Sequence, residues 1–135
     1  MESLKHIELV RQLIKYAMNI EGIERAFLQY DLSESSARPK KMLEGFIPDV
    51  YYDHNNNLVI GEAKTSSDYN RPHSIMQYES YMKQCSFYVG KAILILIVPW
   101  AEAISTKLLI KRIRDENGYK FKILILDDIG KVVEM

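Results

Sequence analysis

Cysteine is almost missing from the chain: Cys85 stands alone. One thiol excludes an internal disulfide and any metal cluster that needs several thiolates. The N-terminal stretch Met1-Glu2-Ser3-Leu4-Lys5-His6 lacks the apolar block of a signal peptide. A cytoplasmic protein is the expectation from these two absences. Long hydrophobic runs are missing as well. No stretch approaches the roughly 20 apolar residues that cross a bilayer, so no membrane partner is expected. Nor is there an excess of either charge, since 18 Lys and Arg balance 18 Asp and Glu. Tight non-specific nucleic-acid binding scales with the phosphates neutralised, so a neutral chain is not a nucleic-acid coat. An enzyme that meets DNA through a local patch stays compatible with neutrality. Glycine-rich phosphate loops are absent, which removes ATP use.

What is present is enough for a core. Of 135 residues 47% are hydrophobic, which suits one domain over residues 1–135. Leu4, Ile7, Val10, Ile14 and Ala17 recur at helical spacing, and Ser3 and Gly22 bracket an amphipathic helix over 3–20. A short strand is expected over 26–30. Residues 31–41 are small, polar and basic, with a proline, and read as a loop. Residues 46–52 and 58–65 are aromatic and β-branched and read as two strands of a hairpin. The Asp53-His54-Asn55-Asn56-Asn57 segment between them tolerates a left-handed turn. Pro72 suits a helix start, and 74–88 reads as that helix. The unbroken apolar run in 91–98 marks a strand covered on both faces. A helix over 102–116 closes at Asn117-Gly118, and 120–126 is another buried strand. The order α, β, β, β, α, β, α, β predicts an α/β domain: a central mixed sheet flanked by helices in three layers.

Chemistry concentrates in the hairpin. Glu62 and Lys64 are two apart on a strand and share a face, and Ala63 points away. Pairing of the two strands brings Asp49 beside them. Two adjacent carboxylates repel unless a cation sits between them. Magnesium, a hard cation that keeps several waters, suits such ligands. It can polarise a phosphate and acidify a water, while a lysine ammonium stabilises the developing charge. An ordinary solvated strand face is the competing explanation, because a Glu-x-Lys or Asp-x-Lys triplet arises by chance roughly once in a chain this long. Placement argues otherwise. The triplet ends the apolar strand Leu58-Val59-Ile60-Gly61-Glu62-Ala63-Lys64, and Pro48-Asp49 lies in the neighbouring one.

Phe46-Ile47-Pro48-Asp49-Val50, a turn, and Val59-Ile60-Gly61-Glu62-Ala63-Lys64-Thr65-Ser66 resemble the PD-(D/E)XK nuclease superfamily of the restriction-endonuclease-like fold. The element order over roughly 3–98 resembles its αβββαβ core, with a C-terminal αβ extension. The resemblance implies Asp49 and Glu62 as ligands of Mg2+ or Mn2+, the Ala63 carbonyl as a further ligand and Lys64 as the catalytic lysine. Many members add an acid on the first helix, for which Glu8 is the candidate and Glu21 and Glu24 the alternatives. Gln77 and Tyr81 resemble the Gln-x-x-x-Tyr motif of RecB-like nucleases, at a similar distance past the lysine. The same spacing recurs at Gln12 and Tyr16 and at Gln84 and Tyr88, so position alone selects the pair. DNA is the implied partner. A homodimer, as in Holliday-junction resolvases, or a larger nuclease, helicase or defence complex is compatible with so small a domain. A chain that keeps this fold without catalysis, as a DNA- or protein-binding module, is the rival reading.

Arg38, Lys40 and Lys41 precede the strand that carries Asp49 and are candidates for the DNA backbone. Arg71 and His73 sit before the second helix, where anions are favoured. Lys107, Lys111 and Arg114 share a face of the last helix. His6, His54 and His73 are scattered, and none forms a ligand spacing with Cys85. A cysteine hydrolase built on Cys85 has no neighbouring support. Trp100, after the buried strand, is expected to be a packing anchor.

Overall fold

In the computed structural model, which describes residues 3–35, 37–42 and 44–135, the chain forms an α/β fold with a six-stranded mixed sheet and three helices. The order is α1 (Leu4–Met18), β1 (Gln29–Tyr30), β2 (Val50–His54), β3 (Asn57–Ala63), α2 (Pro72–Phe87), β4 (Lys91–Val98), α3 (Ala103–Asn117), β5 (Lys122–Asp127) and β6 (Val132–Glu134). Strands lie in the sheet in their sequence order. Pairs β1–β2, β2–β3 and β5–β6 are antiparallel, while β3–β4 and β4–β5 are parallel.

Each helix forms where its apolar stripe meets the sheet. Ser3 caps α1 by accepting the His6 N–H on its hydroxyl. Leu9, Val10, Leu13, Ile14 and Ala17 of α1 are buried against Val50, Val59, Ile95 and Leu124. Each large aliphatic there contributes about 2 kcal/mol of apolar burial. The opposite face carries Leu58, Ile60, Leu94, Leu96, Ile123 and Ile125, covered by Tyr78, Tyr81 and Met82 of α2 and Ile110 and Ile113 of α3. Helices thus lie on both faces, as the doubly apolar β4 requires. Gly61 allows α1 its close approach, since a Cβ there would stand 3.1 Å from Leu13 and from Val50.

The hairpin turn uses Asn55 and Asn56 at φ 51° and 62°, the left-handed pair that a two-residue turn demands. Its Asn56 carbonyl accepts the Lys91 N–H at 2.8 Å, which seats the turn on the start of β4. Gly118, at φ 66°, ends α3 with its N–H on the Arg114 carbonyl.

Three expectations change. The 26–30 segment is a helical turn at Arg25–Phe27 followed by the two-residue β1, not a five-residue strand. Strand β2 begins at Val50 rather than at residue 46, because the Met42 N–H bonds the Phe46 carbonyl and folds that stretch on itself. A sixth strand, β6, pairs with β5 beyond the elements expected. Among the described residues no helix is long and apolar enough to cross a membrane.

Candidate metal and phosphodiester site

The end of β3 is where the candidate residues meet. Alternation puts Leu58, Ile60 and Glu62 on the face covered by α2. Lys64 continues that face one residue beyond the strand, where its N–H donates to the Ile97 carbonyl at 3.0 Å and prolongs the parallel ladder. Register pairs Val50 with Gly61, so Asp49 falls opposite Glu62. The Asp49 carbonyl accepts the Asp31 N–H at 2.9 Å, which fixes its backbone. Asp49 Oδ2 accepts the Ala63 N–H at 2.9 Å, and the Asp49 N–H donates to Glu62 Oε1 at 3.3 Å. Each carboxylate therefore holds the other's strand in place.

Helix α2 and helix α1 complete the ring. Lys64 Nζ lies 3.4 Å from Glu62 Oε2 and donates to Gln77 Oε1. The Tyr81 hydroxyl, one turn from Gln77, donates to Glu62 Oε1 at 3.4 Å. Phe46 stands edge-on to Tyr81 and to His73, at ring-centre distances of 6.4 Å and 5.5 Å. From α1 comes His6, whose Nε2 is 3.4 Å from Asp49 Oδ2.

This is an unusual concentration of charge in a dry place. Asp49 and Glu62 are each only 4% exposed and Lys64 9%. Burial pushes the Glu62 carboxyl well above its ordinary range, the Asp49 charge pushes further the same way, and Lys64 opposes both. The Tyr81 hydroxyl is also pushed up, first by burial and then by the charges of Glu62 and Asp49, so it stays a proton donor. A carboxyl whose folded pKa is raised gives the fold most support below its unfolded value and loses that support as pH rises through the folded one. Hence the metal-free protein should lose stability through Glu62 as pH rises above the ordinary carboxylate range. The variant Glu62→Gln should escape this loss and melt about 4 °C higher than the wild type at pH 8, roughly 1 kcal/mol, with little difference near pH 5. Thermal melts in EDTA at the two pH values measure it; a variant that melts lower at pH 8 would contradict the account of the charge.

Other sequence candidates divide clearly. Of the three Gln-x-x-x-Tyr pairs only Gln77 and Tyr81 meet the site, Gln77 through Lys64 and Tyr81 through Glu62. Tyr16 lines a cavity of about 910 Å3 at the amino-terminal ends of β4 and β5, and Tyr88 bonds Asp53 at 2.6 Å. On α1 it is His6 rather than Glu8 that meets Asp49; Glu8 is exposed and its charge acts on Lys5. Glu21 lines the distant cavity, and Glu24 pairs with His54 at 2.7 Å, so neither comes to the site. Ala63 meets Asp49 through its N–H. Arg38, Lys40 and Lys41 are exposed on the loop before Asp49; Arg71, also exposed, donates to the Ser67 carbonyl, and exposed His73 borders Phe46. Trp100 is not a packing anchor: it is 63% exposed. Burial pushes the Cys85 thiol up to about 12, which leaves no thiolate for catalysis at neutral pH.

Sequence reasoning missed His6. Its one signal was a polar residue on the rim of the apolar stripe near the start of α1, the end that points toward the carboxyl end of β3. Among the described residues no three His, Cys, Asp or Glu side chains are gathered tightly enough to hold a metal ion unaided. Magnesium does not demand such a cage, for it is usually held by one or two carboxylates and several waters. Compared with family models, with curated proteins and with solved structures, the chain shows no significant match.

Proposed function

We propose that this chain is a metal-dependent DNA nuclease with a site of the PD-(D/E)XK type in a restriction-endonuclease-like fold. The observation that carries the proposal is the buried meeting of Asp49, Glu62 and Lys64 at the carboxyl end of β3, supported by Gln77 and Tyr81 of α2. Ligands in open α/β sheets tend to bind outside the carboxyl ends of the strands. Two buried carboxylates against one lysine leave negative charge without solvent, and a divalent cation answers that deficit.

The donor set fits magnesium or manganese. Asp49 and Glu62 would hold the ion, the Ala63 carbonyl, as the resemblance implies, and the imidazole of His6 beside Asp49 would be further donors, and waters would fill the remainder. When bound, the ion supplies Lewis-acid polarisation of the phosphate and a more acidic water. The chain supplies the rest. Lys64, kept in place by Glu62 Oε2 and Gln77 Oε1, presents its ammonium to the charge that develops on the phosphate oxygens. Tyr81 keeps Glu62 Oε1 turned inward. Exposed Arg38, Lys40 and Lys41, on the loop that leads to Asp49, are placed to meet the DNA backbone.

Two measurements test the reading. Manganese titrated calorimetrically should bind the wild type with release of a proton that grows with falling pH, and Asp49→Asn should weaken binding at least tenfold. Linear, branched and single-stranded DNA should be cut in magnesium or manganese and not in EDTA. Metal binding that is absent even with DNA present would leave a non-hydrolytic binding module. Cleavage undiminished in Asp49→Asn would remove the site.

A further inference from the structure

Trp100 follows β4 directly, and 63% of its surface is open to solvent. It is held from behind. Its backbone N–H donates to Asp128 Oδ1 at 2.8 Å, and Asp128 Oδ2 accepts from Lys5 Nζ at 2.8 Å, next to His6. Beside the indole a groove of about 380 Å3 runs between α3 and the turn from β5 to β6. Ile104 and Ile129, both largely exposed, and Val133 line it, and Lys107 and Lys131 stand on it as well. The acids nearby are engaged: Asp127 Oδ1 accepts the N–H groups of Ile129 and Lys131, each at 3.0 Å. Among the described residues neither Lys107 nor Lys131 forms an ion pair. The groove thus offers a flat aromatic face and apolar walls with two uncommitted ammonium groups.

From these features we infer that an unpaired DNA strand stacks its bases on Trp100 and lays its phosphates along Lys107 and Lys131. The inference rests on the nuclease reading above and narrows its substrate to DNA with a single-stranded segment. Aromatic faces accept any base, while lysines follow the backbone. A paired base hides both its faces inside the duplex, so the indole selects unpaired strands. Strand ends are about 4.8 Å apart, which puts the end of β5 roughly 10 Å from that of β3. At about 3.4 Å per stacked nucleotide, a strand crossing from the end of β5, where the groove lies, reaches the carboxylates in some three nucleotides. A second copy of the chain is the other occupant an apolar groove invites, and the test separates the two.

Trp100 is the only tryptophan, so its emission reports this site alone. Wild-type protein in EDTA is titrated with a single-stranded oligonucleotide and with the blunt duplex of the same sequence. Emission should be quenched by the single strand at a concentration at least tenfold below that needed by the duplex. Trp100→Ala should weaken single-strand binding about tenfold, read by anisotropy of a labelled oligonucleotide, with duplex binding unchanged and Trp100→Phe recovering most of the loss. An unquenched indole, whether or not strand is bound, or an equal response to duplex, overturns the inference. So does emission that shifts with protein concentration alone while sedimentation shows a dimer, which assigns the groove to a second copy. Cleavage in magnesium is read in parallel. Cutting without quenching leaves the nuclease and removes the stacking site; quenching without cutting does the reverse.

Discussion

Lys64→Ala is expected to slow magnesium-dependent DNA hydrolysis about a thousandfold while metal affinity stays within a few-fold of the wild type. The split follows from the division of labour in the site. Asp49 and Glu62 carry the donor oxygens and remain. The ammonium, by contrast, is the one buried Lys or Arg charge among the described residues, and it meets both Glu62 Oε2 and Gln77 Oε1. A preorganised charge aimed at a developing oxyanion needs no reorganisation during reaction, and loss of one such group typically costs two to three powers of ten. Lys64→Arg should not restore the rate. The planar guanidinium is larger and its donors are fixed in a fork, and a position 9% exposed between a carboxylate and an amide does not admit it. Single-turnover cleavage beside manganese calorimetry on the same preparation measures both halves. A rate within tenfold of the wild type would remove Lys64 from the chemistry.

Gly90→Ala has the largest stability effect expected of a one-carbon change, about 3 kcal/mol, a fall in melting temperature of roughly 10 °C. A Cβ at Gly90 would stand 2.0 Å from the Asn56 carbonyl oxygen and 2.7 Å from its carbon. Both are main-chain atoms, so no side chain can swing aside. Relief requires the hairpin turn to lift from β4, which breaks the bond from the Lys91 N–H to Asn56 and unseats the first pair of the parallel ladder. Denaturant or thermal unfolding reads the loss. The site lies at the other ends of β3 and β4, so cleavage well below the melting temperature should survive. A loss under about 1 kcal/mol would mean that the turn and the strand shift freely against each other.

How far the sequence led depended on which interactions were local. The span 91–98 was readable to the residue because a strand covered on both faces has no polar interruption. Helix α1 was readable from its stripe, and the asparagine pair announced its own turn. Glu62 and Lys64 shared a face by simple alternation. What failed was whatever depended on distant partners. Asp49 lies just outside β2; its position is set by the Asp31 N–H on its carbonyl and by its side-chain bond to the Ala63 amide, so 46–49 looked like strand by composition alone. Strand β6 is three residues long and exists through its pairing with β5. His6 gains its meaning from Asp49 across two intervening elements, and the backbone of exposed Trp100 is held by the distant Asp128, which its own neighbours do not reveal. Three Gln-x-x-x-Tyr pairs were equal by spacing; distance past Lys64 singled out Gln77 and Tyr81, and the packing of α2 on β3 brings Gln77 to Lys64 and Tyr81 to Glu62.

The sheet lays its six strands side by side in the order in which they are made. No strand has to be inserted between two already paired, so the sheet can grow at one edge while the chain is still being synthesised. Every group proposed to touch the metal or the phosphate being cut lies before the end of α2, and the parallel neighbour that pins Lys64 comes immediately after it. The chemistry is therefore assembled early in synthesis. The stacking groove, built from α3, β5 and β6, is the last surface to form. If the proposed readings hold, a nascent chain would complete the residues around Asp49 and Glu62 before the groove beside Trp100.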